Sequence, residues 1–179
     1  MSTIKLCKKD VDKVRTILKF RDKEKAESKN PVFRYLYLTK EGHVVMTDGS
    51  SLGAVMKLAR FNTEGYYDLQ GNTLVYCSEE IQKTEYPLYS MEHFLIQGHD
   101  ITMWDTTEYI TPENFCYIMS LMPETWINPE LYLRIPKDDY NIGRFKMSKD
   151  SILETCPVVF QSTTFTFVIM PLTKNGRNK

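Results

Sequence analysis

The chain has 179 residues, a composition ordinary for a globular protein and a formal net charge of zero. That length suits one domain or one domain of two similar halves, and either could bury a core. A secretory signal needs a continuous apolar segment, whereas charged residues interrupt every apolar run near the N-terminus. No apolar run of the sequence is long enough to cross a bilayer. We therefore expect a cytoplasmic protein with no membrane partner.

Charge is distributed unevenly along the chain. Residues 1–30 hold ten Lys or Arg against five Asp or Glu, whereas residues 61–130 hold twelve acidic side chains and one basic side chain, Lys83. Such asymmetry suits a protein with one face for an anionic partner, although a charge run is also typical of a solvated surface.

The first elements are a strand and a basic helix. A short strand is predicted at Thr3–Leu6. The segment KKDVDKVRTILKF, residues 8–20, predicts a helix because Val11, Val14 and Leu18 recur at helical spacing. The opposite side of the helix carries the basic residues Lys8, Lys9, Lys13, Arg15 and Lys19.

A run of strands follows Pro31. Short turns rich in Gly, Asp and Ser separate segments rich in Val, Leu and aromatic residues, a pattern that favours antiparallel hairpins. The predicted strands are Val32–Thr39, His43–Thr47, Leu52–Leu58, Tyr67–Gln70 and Thr73–Cys77.

The second half begins after a section, residues 78–109, whose periodicity assigns no element. A helix is predicted from Thr111, with Thr111 as N-cap, Pro112 at the first helical position and Glu113 in the first turn. Pro123 marks its end. Its core stripe would be Phe115, Ile118, Met119 and Met122.

Four further strands are predicted, at Leu131–Ile135, Ile142–Met147, Pro157–Gln161 and Thr164–Met170. The fold class is therefore α+β, with two repeats of strand, helix and antiparallel strands and with the helices on one side of the sheets. One domain is predicted over 1–179. It comprises a first half (1–77), an acidic connecting section (78–109), a second half (110–172) and a tail (173–179).

Two phrases carry a family resemblance. The sequence TDGSSL at Thr47–Leu52 and the sequence PVVFQSTTFTFVIMPL at Pro157–Leu172 resemble motifs of the bacterial DNA polymerase sliding clamp family. The resemblance implies a single clamp-like domain of a ring-forming protein, with helices facing duplex DNA and sheets outside. It covers the chain except for residues 78–109 and the tail.

The resemblance also implies two sites. The first is a pocket for short peptides of polymerases and other partners, and its apolar side chains suit a peptide anchor. The pocket residues would be Thr47, Gly49, Leu52, Val168, Met170, Pro171 and Leu172. The second is a non-specific DNA contact, in which the five basic residues of the first helix meet phosphates loosely enough to slide.

The chain departs from the family pattern in several respects. It has room for one domain where bacterial clamps carry three, so a ring would need a head-to-tail homo-oligomer. Ser50 and Ser51 replace the basic-aromatic dipeptide that usually follows the Gly, and a Tyr-Pro phrase, Tyr86-Pro87, lies between the halves. The second helix, TPENFCYIMSLM, carries no basic residue.

Other site chemistry has weak support. No CxxC pair, GxGxxG or P-loop motif occurs, and no cofactor, metal or catalytic residue is predicted. His93 and His99 match no strong metal-ligand spacing, and surface histidines are the commoner interpretation. The leading hypothesis is a non-enzymatic clamp-like factor of DNA replication or repair. The alternatives are a clamp-fold interaction module without DNA binding, such as a clamp mimic or inhibitor, and, less favoured, an enzyme with an unrecognised site.

Overall fold

The structure is a computed structural model that describes residues 2–21, 30–49, 51–55, 57–58, 63–84, 101–109, 111–122, 125–145 and 156–172. The chain divides into two compact units, Met1–Met91 and Glu92–Lys179. Both combine antiparallel strands with a few short helices.

Within its described residues, the first unit holds six strands and two α-helices. In chain order they are β1 (Thr3–Lys5), α1 (Lys8–Ile17), β2 (Leu36–Leu38), β3 (Val44–Thr47), β4 (Ser51–Val55), β5 (Gly65–Gln70), β6 (Thr73–Tyr76) and α2 (Glu79–Gln82). The strand order within this unit is β1-β6-β5-β2-β3-β4, and the neighbouring strands pair antiparallel.

Helix α1 confirms the amphipathic pattern read from the sequence. Val11, Val14 and Ile17 are buried, and a 3-10 turn at Leu18–Phe20 continues the helix and buries Phe20. The helix packs against β3 and β4. Its apolar stripe is therefore committed to the core, which leaves the basic side outside.

The middle of the first unit's sheet is buried on both faces, since all four residues of β3 are buried. Leu36 and Leu38 alternate with Tyr37 along β2, so they lie on the face opposite to Tyr37. Tyr37 stands directly across from Tyr66 of β5, with 5.1 Å between the ring centroids. Tyr66 forms a second apolar cluster with Val32 and Phe33.

The described part of the second unit contains four strands and two helices: β7 (Ile101–Tyr109), α3 (Phe115–Ser120), α4 (Pro129–Tyr132), β8 (Asp139–Phe145), β9 (Val158–Gln161) and β10 (Phe165–Ile169). Its strand order is β7-β8-β9-β10, all antiparallel. Val158, Val159 and Phe160 of β9 are fully buried, which makes this strand a centre of the core.

One predicted strand is wrong and another is confirmed only in part, because local caps determine the structure there. Residues 31–34 form a 3-10 turn, in which the Asn30 side chain accepts a hydrogen bond from Val32 N at 3.1 Å. Of the predicted strand Val32–Thr39, the structure confirms the part at Leu36–Leu38. The predicted strand Leu131–Ile135 is replaced by α4 and the turn after it. Asn128 caps α4 by accepting from Glu130 N at 2.9 Å, and Pro129 opens the helix.

The predicted start of the second helix is also wrong. Helix α3 begins at Phe115, because Thr111 and Asn114 form a turn of their own before it. Thr111 N donates to Asn114 Oδ1 at 3.0 Å, and Asn114 N donates to Thr111 Oγ1 at 3.4 Å. The predicted helical core is confirmed for Ile118, Met119 and Met122, which are buried, whereas Phe115 is half-buried.

The section at residues 78–109 contributes described elements to both units. Gln82 of α2 binds β5, since its Oε1 accepts from Tyr66 N at 2.9 Å and its Nε2 donates to Tyr66 O at 2.8 Å. Strand β7 pairs with β8. The two-repeat arrangement and the boundaries of the halves stay predictions.

Candidate functional site

The TDGSSL phrase forms the end of the β3–β4 hairpin, where Thr47 pairs with Leu52. The Thr47 hydroxyl donates to Ser51 O at 2.8 Å and accepts from Gly49 N at 3.0 Å. Asp48 Oδ1 accepts from Ser51 N at 2.6 Å. Two side chains therefore satisfy backbone groups inside the turn, which explains why the phrase extends beyond Asp-Gly.

These turn side chains are inside the protein. Thr47 is 3% exposed, Asp48 2% and Ser51 4%, whereas the backbone of Gly49 reaches the surface. Thr47 thus supports the turn from within, and Gly49 is the position at which another molecule could approach the backbone.

Gly49 is required by its conformation and by its neighbour. Its φ is +78°, in the left-handed region that a side chain disfavours. A Cβ atom added there would lie 3.3 Å from Cζ of Phe33. The Phe33 ring therefore supports this corner of the predicted pocket from the cluster beneath it.

The C-terminal phrase follows β10. Val168 is buried at 4% exposure, which makes it a core residue. Met170 is 43% exposed, and Pro171 and Leu172 are half-buried. The sequence IMPL therefore leaves the core at Met170 and presents apolar surface to solvent.

Trp126 is a further surface residue at this end, and the sequence motifs did not identify it. Its carbonyl accepts a hydrogen bond from Leu172 N at 2.7 Å, and its side chain is 39% exposed. The indole meets Phe115 edge to face at 5.5 Å, and Phe115 meets Tyr132 in the same manner at 4.9 Å. A large aromatic ring held in this way loses little entropy when it binds a partner. In the sequence, the one indication of a role for Trp126 is that a large aromatic residue stands within a polar stretch.

The predicted pocket residues divide between the two units. Thr47, Gly49 and Leu52 belong to the first unit, and Val168, Met170, Pro171 and Leu172 belong to the second. Their joint use as one peptide pocket stays a prediction.

The predicted DNA-contacting residues lie on or directly after α1. Lys8, Lys9, Arg15 and Lys19 are exposed, whereas Lys13 is half-buried and its Nζ lies 3.8 Å from Asp10 Oδ1. Four of the five basic side chains are therefore exposed to an anionic partner, and that of Lys13 is partly exposed. Their contact with DNA stays a prediction.

Burial shifts the pKa of a few titratable side chains among the described residues. Burial lowers the pKa of His43 below its ordinary value of 6.5; Glu41 opposes this shift and Lys57 adds to it. Burial also raises the pKa of the Cys77 thiol to about 12 and raises the pKa of Tyr140. Among the described residues, no three His, Cys, Asp or Glu side chains converge as metal ligands.

Several predicted features fall elsewhere in the chain. Tyr86-Pro87, His93, His99 and Ser50 lie outside the described residues. In the part of the chain that the structure describes, no helix is long and apolar enough to span a membrane.

Comparison with known proteins gives a result at the level of the fold. No family model matches the chain, and no curated protein matches it in sequence. One similar solved structure, determined at 2.26 Å resolution, is that of a "putative DNA polymerase III beta subunit" from Eubacterium rectale. The fold is clamp-like. The match covers 98% of this chain and 66% of that protein, with a TM-score of 0.57 and 10% sequence identity. This chain thus spans just under two thirds of the length of its clamp-like neighbour.

Proposed function

We propose that this protein is a sliding-clamp-like accessory factor of DNA replication or repair, which binds duplex DNA without sequence preference and engages partner peptides. The observation that carries the proposal is the clamp-like fold, which extends over 98% of the chain. The basic surface of α1 and the apolar surface at Met170 supply chemistry that suits the two kinds of partner.

The proposed DNA contact uses the exposed face of α1. Lysine and arginine side chains on a helix surface attract phosphates at long range and release counterions on binding, without reading base edges. Long side chains with solvated charges also permit the contact to slide. The charges proposed for this role are those of Lys8, Lys9, Lys13, Arg15 and Lys19.

Charge reversal on α1 tests this contact. Lys9→Glu with Lys13→Glu should weaken binding to a mixed-sequence duplex and lower the slope of log affinity against log salt by about two, at roughly 0.9 per phosphate contact. The matched control is Lys83→Glu with Lys137→Glu, which makes the same charge change at two exposed lysines outside α1. If both double variants lose the same affinity for DNA, the effect is due to net charge alone. If the α1 double variant binds DNA as tightly as the wild type, the proposed contact is overturned.

The proposed peptide contact uses the apolar surface that follows β10. Met170 and Trp126 offer exposed apolar side chains, and the Leu172 backbone is fixed by its bond to Trp126. Met170→Asp should abolish binding of short peptides taken from DNA polymerases, measured by fluorescence anisotropy. Leu133→Asp is the control, because Leu133 is also exposed, at 55%. Equal loss in both variants would argue against a site at Met170.

Assembly is the third part of the proposal. A clamp must close around DNA, and we propose that copies of this chain associate head to tail to do so. Light scattering at working concentration should give a molar mass that corresponds to an oligomer with a fixed number of subunits. A monomer that persists at high concentration in the presence of DNA would overturn self-assembly.

A second candidate function is a clamp-fold interaction module without DNA binding. Within the described residues 111–122, which include α3, no basic side chain is present to share a DNA-facing surface with α1. This candidate gains support if polymerase peptides bind while duplex DNA does not bind even at low salt. An enzyme remains the least favoured alternative.

A further inference from the structure

An acidic residue occupies the middle of the basic face of α1. Asp12 is exposed and lies on the side of the helix opposite to its buried stripe. Residues three and four positions apart are neighbours on a helix surface. Asp12 therefore has three basic neighbours, which are Lys8, Lys9 and Arg15.

The other acidic residue of α1 has a different setting. Asp10 lies in the first turn, where a negative charge favours the helix dipole. Its carboxylate accepts from Cys7 Sγ at 3.1 Å and pairs with Lys13 at 3.8 Å. Asp12 lies beyond the first turn and is exposed. The Thr16 hydroxyl donates to its backbone carbonyl at 3.0 Å and not to its carboxylate.

An exposed carboxylate at that position opposes phosphate binding. A phosphate that approaches Lys8, Lys9 or Arg15 also approaches Asp12, and like charges repel within a Debye length of about 8 Å at physiological salt. The carboxylate also lowers the positive potential that its basic neighbours present to a phosphate. Its net effect on the proposed contact is to reduce affinity.

We propose that Asp12 is an affinity-limiting residue, which keeps the contact between α1 and duplex DNA weak enough for movement along the duplex. The inference rests on the proposed DNA binding by α1. It assigns to one side chain a reduction of about two- to fivefold in the affinity of that contact.

A graded series tests the inference. The full chain is titrated with a fluorescent mixed-sequence duplex over a range of salt concentrations, for the wild type, Asp12→Asn and Asp12→Lys. Asp12→Asn should tighten binding about two- to fivefold at low salt, an effect of the size that single exposed charge pairs produce. Asp12→Lys should tighten binding further and steepen the salt slope by about one. Glu80→Gln, at an exposed position of α2, is the control for net charge.

The outcomes separate this inference from the proposed function. If Lys9→Glu with Lys13→Glu weakens binding while Asp12→Asn leaves it unchanged or weaker, the role of Asp12 is overturned and DNA binding by α1 stands. If Glu80→Gln tightens binding as much as Asp12→Asn does, the effect is not local and the inference is also overturned. If no variant binds DNA, both proposals are overturned.

Discussion

The turn network at Thr47 gives a prediction whose magnitude follows from the structure. Thr47→Val keeps the shape of the side chain and removes two hydrogen bonds, one to Ser51 O at 2.8 Å and one from Gly49 N at 3.0 Å. Each is worth about 1 kcal/mol, and the added apolar burial of the Val methyl returns at most about 0.8 kcal/mol. Ser51 O keeps a bond from Asp48 N at 3.3 Å, and the backbone of Gly49 reaches solvent. We therefore expect a loss of about 1–2 kcal/mol in the free energy of unfolding.

Urea unfolding followed by far-UV circular dichroism measures this loss. With a slope near 2 kcal/mol per molar urea, the midpoint should fall by about 0.5–1 M. Both tryptophans lie in the second unit, so tryptophan fluorescence shows whether that unit responds as well.

The matched control is Thr125→Val. Thr125 is 2% exposed, and the described part of the chain offers its hydroxyl no hydrogen-bond partner. Removal of that hydroxyl should be neutral or stabilising, because a buried polar group without a partner costs free energy. The reasoning is refuted if Thr47→Val lies within about 0.3 kcal/mol of the wild type, or if Thr125→Val is equally destabilised.

Three further outcomes are expected. Gly49→Ala should lower the free energy of unfolding by about 1–2 kcal/mol, because a side chain at φ +78° is strained. In the double variant, Phe33→Leu should relieve the part of this loss that comes from contact with the Phe33 ring. If the losses of the two single variants add up in the double variant, that contact is contradicted. His43 has a folded pKa below 6.5, so the unfolded chain binds its proton more readily. The urea midpoint should fall as pH drops below 6.5 toward the folded pKa, and this part of the pH dependence should vanish in His43→Gln; an identical profile in the variant would exclude His43 as its source. Cys77, with a pKa of about 12, should alkylate far more slowly than the exposed Cys7 at mildly alkaline pH in a mass-spectrometric time course, and comparable rates would contradict its burial.

Periodicity predicted the elements whose faces are simple. Helix α1 was predictable because Val11 and Val14 recur on one side of a segment that is otherwise charged. Strands β9 and β10 were predictable because both are short runs rich in β-branched and aromatic residues.

Two segments were not predicted correctly because their sequence patterns are ambiguous. At Leu131–Ile135 an apolar run favoured a strand, but Asn128 and Pro129 just before it formed a cap and started α4. The sequence did not predict strand β7. Its register with β8 shifts between Met103 and Thr107, and such an irregularity disrupts the alternation of side chains that marks a strand.

The candidate site was predictable in its chemistry and not in its environment. The sequence pointed to Gly49 and Met170, and both reach the surface. It also pointed to Thr47 and Val168, which are buried. Trp126 has no motif, and its relevance comes from a hydrogen bond to Leu172, a residue remote along the chain.

By itself the sequence determined the features that depend on near neighbours along the chain. These are the basic face of α1 with Asp12 in its middle, the Asp-Gly turn, and the short strands around it. Only the tertiary structure decided what lies beneath them. The Phe33 ring meets Gly49, and α1 buries its stripe against β3 and β4. Such contacts join residues that are distant in sequence, and close packing in the folded core, rather than a local pattern, selects them.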